Sequence, residues 1–347
     1  MSIAIRLAKY MFILLLTYSL GSCARGNGAV LHIVGFGDEQ SNIEALHWNF
    51  AAKTRTTDVY PGDAYTALCF SGTNIYIGGH TRDDGTNRAA YWKNGQVFLL
   101  SDGNCDEYVE AICVSGEILY AAGWKRQDKI TIAKYWKAEG DTVEAYDLSD
   151  GTRLAAAFAA AVSGSDIYIG GMEYAGTNSV AKYWKNGVSC PLGDGRRSTG
   201  LHTLLAHNGD IYAGGWENRH GRDVAKYWKN TVGVELSDGR STARIEALAV
   251  AGSDVYAVGY EVVGGKPAAR YWKNDLAFFL TDGKADACVR SICVTERDDE
   301  RTVYIAGFEN DGRHDRARYW KIDATGLQSF LLGEGSKTTK ACAIGVQ

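Results

Sequence analysis

The chain has 347 residues, with 41 acidic and 37 basic side chains and a formal net charge of −4. Hydrophobic residues make up 46% of it, which excludes an intrinsically disordered chain, and the acidic balance excludes a strongly basic nucleic-acid binder. The 41 glycines and only 3 prolines favour many tight turns between short strands.

The first segment has the pattern of a secretion signal. Residues 1–22 begin with two basic side chains and continue into an apolar run too short to span a membrane as a helix. The run ends in Leu-Gly-Ser followed by Cys23, which resembles the lipobox of bacterial lipoproteins. This resemblance implies lipidation of Cys23, a tether over 23–29 and attachment to the cell envelope, at the outer membrane. The alternative is an ordinary signal peptide that precedes a chance cysteine.

The rest of the chain, residues 30–347, contains seven copies of one unit. Each copy has a Trp, which lies in a Tyr-Trp-Lys triplet in six of the seven copies. A Gly that ends a segment of the Ile-Tyr-x-Gly-Gly type always lies 13 residues before this Trp. Asp-Gly or a variant follows before the next unit begins. The seven Trp residues are Trp48, Trp92, Trp136, Trp184, Trp228, Trp272 and Trp320.

Each unit predicts four short strands, which we name A to D. Strand A is apolar, strand B contains the paired glycines, strand C contains Tyr-Trp-Lys, and strand D ends at Asp-Gly. Four strands in roughly 44 residues, repeated, are typical of a β-propeller blade. The chain enters in a strand B and ends after a strand A. We therefore predict an all-β, seven-bladed β-propeller with four-stranded antiparallel blades, in which the C-terminal strand joins the first blade and closes the ring.

The repeat resembles the β-propeller superfamily, and bacterial cell-envelope propellers in particular. Its paired glycines are similar to those of kelch repeats, although kelch repeats hold Tyr and Trp apart and this chain holds them adjacent. The sialidase-type Asp box and the WD40-type Trp-Asp ending are absent from the sequence. The resemblance therefore implies the fold and assigns no catalytic residue.

Regular charges predict how strands B and C pair. Glu217 and Lys226 are nine residues apart, and an acid and a base recur at these positions in three other units. If Glu217 lies directly opposite Lys226, Gly215 faces Trp228 and leaves room for the indole. In the third unit both positions are Lys. We interpret the charge pairs as structural contacts and the recurrent Trp residues as core between blades.

Seven cysteines follow Cys23, so at least one stays unpaired in any scheme of intrachain disulfides. Cys69, Cys113 and Cys293 share one strand-A position, where two other units have Ala161 and Ala249. This pattern favours small buried side chains over bridges or nucleophiles. No cysteine pair has zinc spacing, and we expect neither a metal nor another cofactor.

The best candidate site lies on the face where propellers place their B–C loops and D–A connections. Seven basic residues fall in or just after the D–A connections, and their convergence near the axis would attract anions. They are Arg153, Arg196, Arg197, Arg240, Arg244, Lys284 and Arg290. Arg290 fits least well, because it aligns with Glu110 and Glu246. The alternative is a solvated surface with scattered charges.

The sequence contains no His-Glu-x-x-His, Gly-x-Ser-x-Gly, P-loop or Rossmann motif, so the catalytic residues, if any, are unknown. We expect a monomeric, lipid-anchored, non-enzymatic binding or scaffold module for an anionic glycan or a protein partner, and no nucleic-acid partner. The alternative is a glycan-active hydrolase or lyase that acts on an acidic polysaccharide at the Arg-rich face. A deep axial pocket with a carboxylate or His among the Arg residues would favour this alternative.

Overall fold

The computed structural model describes residues 30–39, 42–50, 54–56, 64–332 and 338–347. In this part of the chain every regular element is a β-strand, and the strands form seven four-stranded antiparallel sheets. The prediction of an all-β, seven-bladed propeller is confirmed. No helix in the same residues is long and apolar enough to cross a membrane. The predicted signal segment, Cys23 and the tether lie outside the described residues.

Each blade has the predicted strand order, with A at one edge of the sheet and B, C and D following in turn. The A strands of blades 1 to 7 are β28 (Thr338–Val346), β4 (Ala64–Ser71), β8 (Glu107–Ser115), β12 (Ala155–Ser163), β16 (Thr199–His207), β20 (Ala243–Ala251) and β24 (Ala287–Arg297). The B strands are β1 (Leu31–Glu39), β5 (Asn74–Asp83), β9 (Ile118–Gln127), β13 (Asp166–Ala175), β17 (Asp210–Arg219), β21 (Asp254–Val263) and β25 (Glu300–Asn310).

The two remaining strands of each blade lie farther from the axis. The C strands are β2 (Asn42–Asn49), β6 (Thr86–Lys93), β10 (Ile130–Glu139), β14 (Asn178–Lys185), β18 (Arg222–Lys229), β22 (Lys266–Lys273) and β26 (Asp315–Asp323). The D strands are β3 (Thr54–Thr56), β7 (Gln96–Leu99), β11 (Thr142–Asp147), β15 (Val188–Pro191), β19 (Val232–Glu235), β23 (Leu276–Phe279) and β27 (Gly326–Leu331). A strands of successive blades contact one another, so the A strands line the axis.

The ring closes as predicted. The C-terminal β28 pairs with β1 over Leu31↔Val346 to Asp38↔Thr338, which makes blade 1 from both ends of the described chain. Its Thr339 hydroxyl accepts a hydrogen bond from the Ala317 N–H of blade 7 at 3.0 Å. This bond and the strand pairing tie the last blade to the first.

Every A strand contains a bulge next to its B strand, a feature that the repeat did not predict. In blade 3 the register shifts between Val109 and Ala111, which leaves Glu110 as the extra residue. The bulge brings the Tyr108 carbonyl oxygen to 1.8 Å from where a Cβ on Gly123 would lie. The strand-B glycine that lies 13 residues before each Trp is therefore required mainly by an A-strand carbonyl, because no side chain fits there.

The predicted register of strands B and C is wrong by two residues. Gly215 lies opposite Lys226, and Trp228 lies opposite Ala213. The ion pair between Glu217 and Lys226 nevertheless forms, with Nζ 2.5 Å from Oε2. It forms because long side chains on antiparallel strands also meet along the diagonal. The three equivalent pairs, Glu173–Lys182, Glu261–Arg270 and Glu309–Arg318, form at 2.5, 3.1 and 3.3 Å.

Blade 3 accommodates its two lysines by taking acids from other strands. Lys125 pairs with Asp147 of strand D at 2.6 Å, and Lys134 pairs with Glu107 of strand A at 2.5 Å. The seven repeat Trp residues are all buried, which confirms them as core. Cys69, Cys113 and Cys293 are buried, and every cysteine in the described part of the chain is free.

Candidate functional site

The D–A turns present the predicted basic residues. In five of the D–A turns the Asp carboxylate accepts the backbone N–H two residues later, for example from Arg196 to Asp194 and from Arg240 to Asp238, both at 2.9 Å. The following Gly adopts a positive φ, as Gly195 and Gly239 do. The Asp-Gly motif is therefore a turn that fixes the backbone of the D–A connection and projects the next side chain outwards.

The structure divides the seven predicted cations into two groups. The first group is exposed at the D–A rim, which we define by Arg153, Arg196, Arg197, Arg240 and Lys284. The side chains of Arg240 and Lys284 are 90% and 86% exposed, and each lies beside the Asp of its own turn. Such exposed pairs contribute little to stability, so these cations stay accessible to a ligand.

Three rim cations line two adjoining cavities between blades 4 and 5. Arg153 lies on a cavity of about 220 Å³, together with Glu173 and Lys182. Arg196 and Arg197 lie on a cavity of about 390 Å³. The two cavities share Gly193 and Asp194 in their walls. The larger volume falls within the usual range for small-ligand pockets, roughly 300–1,000 Å³.

Glu217 organises the wall of the larger cavity. Its carboxylate accepts from Arg197 at 2.9 Å and from Lys226 at 2.5 Å, and it also pairs with Arg219. Burial alone would raise the pKa of this carboxyl, but the hydrogen bonds from these cations lower it to about 2. Glu217 is therefore ionised throughout the physiological range and holds Arg197 in place at the cavity wall.

The second group consists of Arg244 and Arg290, which lie deeper, on A strands. Arg244 donates to Asp223 at 2.6 Å and covers the Trp216 ring at 4.4 Å from its centroid. Arg290 is buried and donates to Glu246 at 3.0 Å. Both guanidinium groups therefore have a carboxylate partner, whereas the sequence predicted basic side chains that attract anions near the axis.

Arg290 belongs to a set of residues that the A-strand bulges place around the axis. We name the seven bulged residues the axial set: Thr66, Glu110, Phe158, His202, Glu246, Arg290 and Cys342. Two of them reach the next blade by the same contact, since Thr66 donates to the Val109 carbonyl at 2.8 Å and His202 donates to the Ile245 carbonyl at 3.0 Å. The seven positions carry six different residue types, with Glu in both blade 3 and blade 6, whereas the surrounding framework repeats.

Electrostatic effects also connect the axial set across blades. Burial raises the pKa of the Cys342 thiol to about 11, the charges of Arg290 and Lys340 oppose this rise, and Glu110 adds to it. His202 lies 3.7 Å from Glu246, and burial lowers the pKa of its imidazole. Groups from blades 1, 3, 5, 6 and 7 therefore act on one another near the axis.

Glu110 is the axial residue with the most perturbed carboxyl. It is buried, and its Oε1 accepts the Trp124 indole N–H at 2.8 Å. Burial raises the pKa of this carboxyl to about 8, although the indole hydrogen bond opposes the rise. Trp124 in turn stacks on Tyr108, with ring centroids 4.1 Å apart. A protonated acid thus lies next to an aromatic pair, in the half of its A strand that is nearer the D–A rim.

The sequence held one signal for the axial set, namely the alignment of Arg290 with Glu110 and Glu246. Positions that form the framework of the blades carry apolar residues in all units. A position that carries an acid, a base, a His and a Phe in different units therefore does not belong to this framework. The inward direction of these side chains depends on the bulge, which the repeat does not encode. In the part of the chain that the structure describes, no group of three or more His, Cys, Asp or Glu residues could hold a metal ion.

No protein-family model matches the chain, and no curated protein does. Among solved structures, the chain is similar to the acylaminoacyl peptidase of Pyrococcus horikoshii in its orthorhombic crystal form, with a TM-score of 0.53 and 12% identity over 89% of this chain and 51% of that chain. An acylaminoacyl peptidase in complex with Z-Gly-Gly-Phe-chloromethyl ketone gives a TM-score of 0.54 and 11% identity over 88% of this chain and 51% of that one. The chain thus spans about half of each matched structure, and the likeness concerns the fold alone.

Proposed function

We propose that this protein is a lipid-anchored, non-enzymatic binding protein of the cell envelope that holds an acidic glycan at the D–A rim. The observation that supports it is the pair of adjoining cavities between blades 4 and 5, which Arg153, Arg196 and Arg197 line. Guanidinium groups bind carboxylates and sulfates through paired hydrogen bonds. The neighbouring Glu173, Asp194 and Glu217 can accept hydrogen bonds from sugar hydroxyl groups.

A glycan-array screen on the full, lipidated protein in detergent tests the proposal. The informative variant is Arg153→Gln/Arg196→Gln, because it removes one exposed cation from each cavity and leaves the Arg197–Glu217 pair intact. We expect at least a roughly tenfold loss of affinity for acidic glycans, since charge-assisted hydrogen bonds contribute about 1.5–3 kcal/mol each. Added salt should weaken the wild-type complex.

Arg240→Gln/Lys284→Gln is the matched control. It removes the same charge from equally exposed D–A residues that line neither of these cavities. It should change affinity by less than about threefold, through the general field alone. Equal losses of affinity in both variants would mean that the overall charge of the D–A face, and not the two cavities, is responsible for glycan binding. An absence of acidic-glycan binding by the wild type would contradict the glycan proposal and leave a protein partner to be sought.

One observation favours the second candidate, a glycan-active hydrolase or lyase. The axial set places Glu246 beside His202 and Arg290, and it also includes the protonated Glu110. Glycoside cleavage uses one protonated carboxylic acid and one carboxylate. If this candidate is right, acidic polysaccharides release reducing ends with the wild type, and both Glu110→Gln and Glu246→Gln abolish the release. Binding without product from any acidic polysaccharide bound on the array would contradict it.

A further inference from the structure

The described chain enters the propeller in blade 1. Val30 and Gln347 exchange two backbone hydrogen bonds of 2.9 Å, at the start of β1 and the end of β28. This place is on the A–B side of the ring, opposite the D–A rim. Cys23 precedes Val30 by seven residues, and an extended chain of that length spans at most about 25 Å. A lipid on Cys23 would therefore keep this side of blade 1 near the membrane.

Phe50 occupies an unusual position next to this entry point. In blades 2, 4, 5 and 6 the turn after strand C begins with Asn, whose side chain accepts the N–H of strand B, as Asn94 does from Ile75 at 2.8 Å. The backbone bond from Phe50 to Leu31, at 3.1 Å, matches the bond from Asn94 to Ile75, at 2.9 Å. Blade 1 thus has a 39% exposed Phe where four blades have a polar turn residue.

The apolar surface continues from Phe50 onto the outer edge of blade 7. The Phe50 ring lies edge-on to Tyr319 at 5.5 Å between centroids, and Tyr319 stacks on Phe330 at 4.5 Å. Phe330 belongs to the edge strand β27, where Leu327 and Leu331 are also exposed, by 48% and 52%. Leu327 and Leu331 point to the opposite face of the strand from Phe330, so exposed apolar side chains flank this edge on both sides. We name Phe50, Tyr319, Leu327, Phe330 and Leu331 the blade 7 edge surface. Exposed apolar side chains on an edge strand usually serve a contact, because they otherwise promote aggregation.

We propose that the blade 7 edge surface docks on the lipid bilayer. This inference rests on the proposed lipid anchor. Because residues 23–29 join the chain at blade 1, beside this surface, a lipid on Cys23 would bring the bilayer next to it. The chain entry, Phe50 and Leu327 all lie on the side of the ring opposite the D–A rim. Docking there would leave the glycan-binding cavities facing away from the membrane. A lipid chain and an apolar surface together hold a protein more firmly than either alone.

Hydrogen–deuterium exchange tests the docking on the full, lipidated protein. The exchange rates of the protein in vesicles of phosphatidylethanolamine and phosphatidylglycerol are compared with its exchange rates in a detergent-free buffer that contains soluble carrier lipid. We expect slower exchange in vesicles for peptides covering 42–50 and 319–332, and no change for 184–191, which carries the exposed Val188 on blade 4. Phe50→Asn/Leu327→Asn should weaken this protection roughly a hundredfold, because each of the two apolar side chains contributes about a factor of ten when buried.

Val188→Asn/Val232→Asn is the control, since both residues are exposed on outer strands of blades 4 and 5. It should leave the protection unchanged. Lipid on Cys23, read by mass spectrometry, with no protection of the blade 7 edge surface would overturn docking and leave the anchor standing. Cys23 without lipid, with flotation that Phe50→Asn/Leu327→Asn abolishes, would reject the anchor and support docking. Protection that appears without vesicles and grows with protein concentration would show that a second copy covers the surface, and would overturn the proposal.

Discussion

The tightest steric constraint on a single residue lies at the glycine that faces each bulge. On β1, a Cβ on Gly35 would lie 2.0 Å from the Lys340 carbonyl oxygen, whereas a Cβ on Gly37 would meet nothing closer than 3.4 Å. Backbone cannot move aside as a flexible side chain can. We expect Gly35→Ala to lower the free energy of unfolding by about 2–3 kcal/mol and Gly37→Ala to change it by less than 1. Urea denaturation of both variants measures this, and equal losses would contradict it.

Glu110 makes stability depend on pH. Its folded pKa, about 8, lies above the ordinary value of 4.5, so the unfolded chain loses this proton first as the pH rises. The contribution of Glu110 to stability is therefore greatest below pH 4.5 and falls until the pH exceeds about 8, by up to about 1.4 kcal/mol per pH unit. Glu110→Gln still accepts from Trp124 but cannot ionise. We expect this variant to gain stability over the wild type between about pH 5 and 9.

Denaturant unfolding at several pH values checks the Glu110 prediction. Glu300→Gln is the control, because Glu300 is exposed on β25 and its variant should follow the wild-type curve. Parallel curves for Glu110→Gln and the wild type would mean that the carboxyl at the axis titrates as it does in water.

At the scale of one blade, blade 3 shows how a repeat tolerates a broken rule. Lys134 and Glu107 form a pair whose side chains are largely buried, while Lys185 and Asp166 of blade 4 form a more exposed one. Removing one member of a buried ion pair leaves the other charge buried without a partner. We expect Lys134→Met to destabilise the protein by about 3 kcal/mol and Lys185→Met by less than about 1.

A double variant separates the lost pair from lost packing. Lys134→Met/Glu107→Gln should recover part of the stability, because it leaves no uncompensated charge in the blade. Thermal unfolding of Lys134→Met, Glu107→Gln and the double variant gives the coupling energy between the two side chains. If the double variant is no more stable than Lys134→Met, the stranded charge is not the cause.

The strands could be predicted from the sequence because each carries a local signal that recurs seven times. Tyr-Trp-Lys marks strand C, and its Trp must be buried wherever it occurs. The B–C register was missed by two residues, since Glu217 and Lys226 attract each other equally well along a diagonal. The directions of Arg196 and Arg290 could not be predicted, because they depend on a turn geometry and on a bulge. The loop positions of the rim cations could therefore be predicted from the sequence, whereas the positions of the axial set could not.

At the scale of the whole molecule, the ring depends on one strand. β28 supplies Ala341, Ile344 and Val346 to the core between blades 7 and 1, and among the described strands it is the partner of β1 on that side. A chain that ends at residue 337 would expose the β1 edge and open the seam. We expect it to lose cooperative unfolding and to aggregate, because an open edge recruits other chains.

Adding a synthetic peptide of residues 338–347 should rescue that shortened chain in a saturable manner, since the peptide supplies both the strand and the Thr339 bond to blade 7. A peptide with Ile344→Asp is the control, because Ile344 is fully buried and its charged replacement cannot enter the core. Intrinsic fluorescence of the buried Trp residues and sedimentation velocity report the rescue. Cooperative unfolding of the shortened chain without any peptide would show that the other six blades hold the ring closed by themselves.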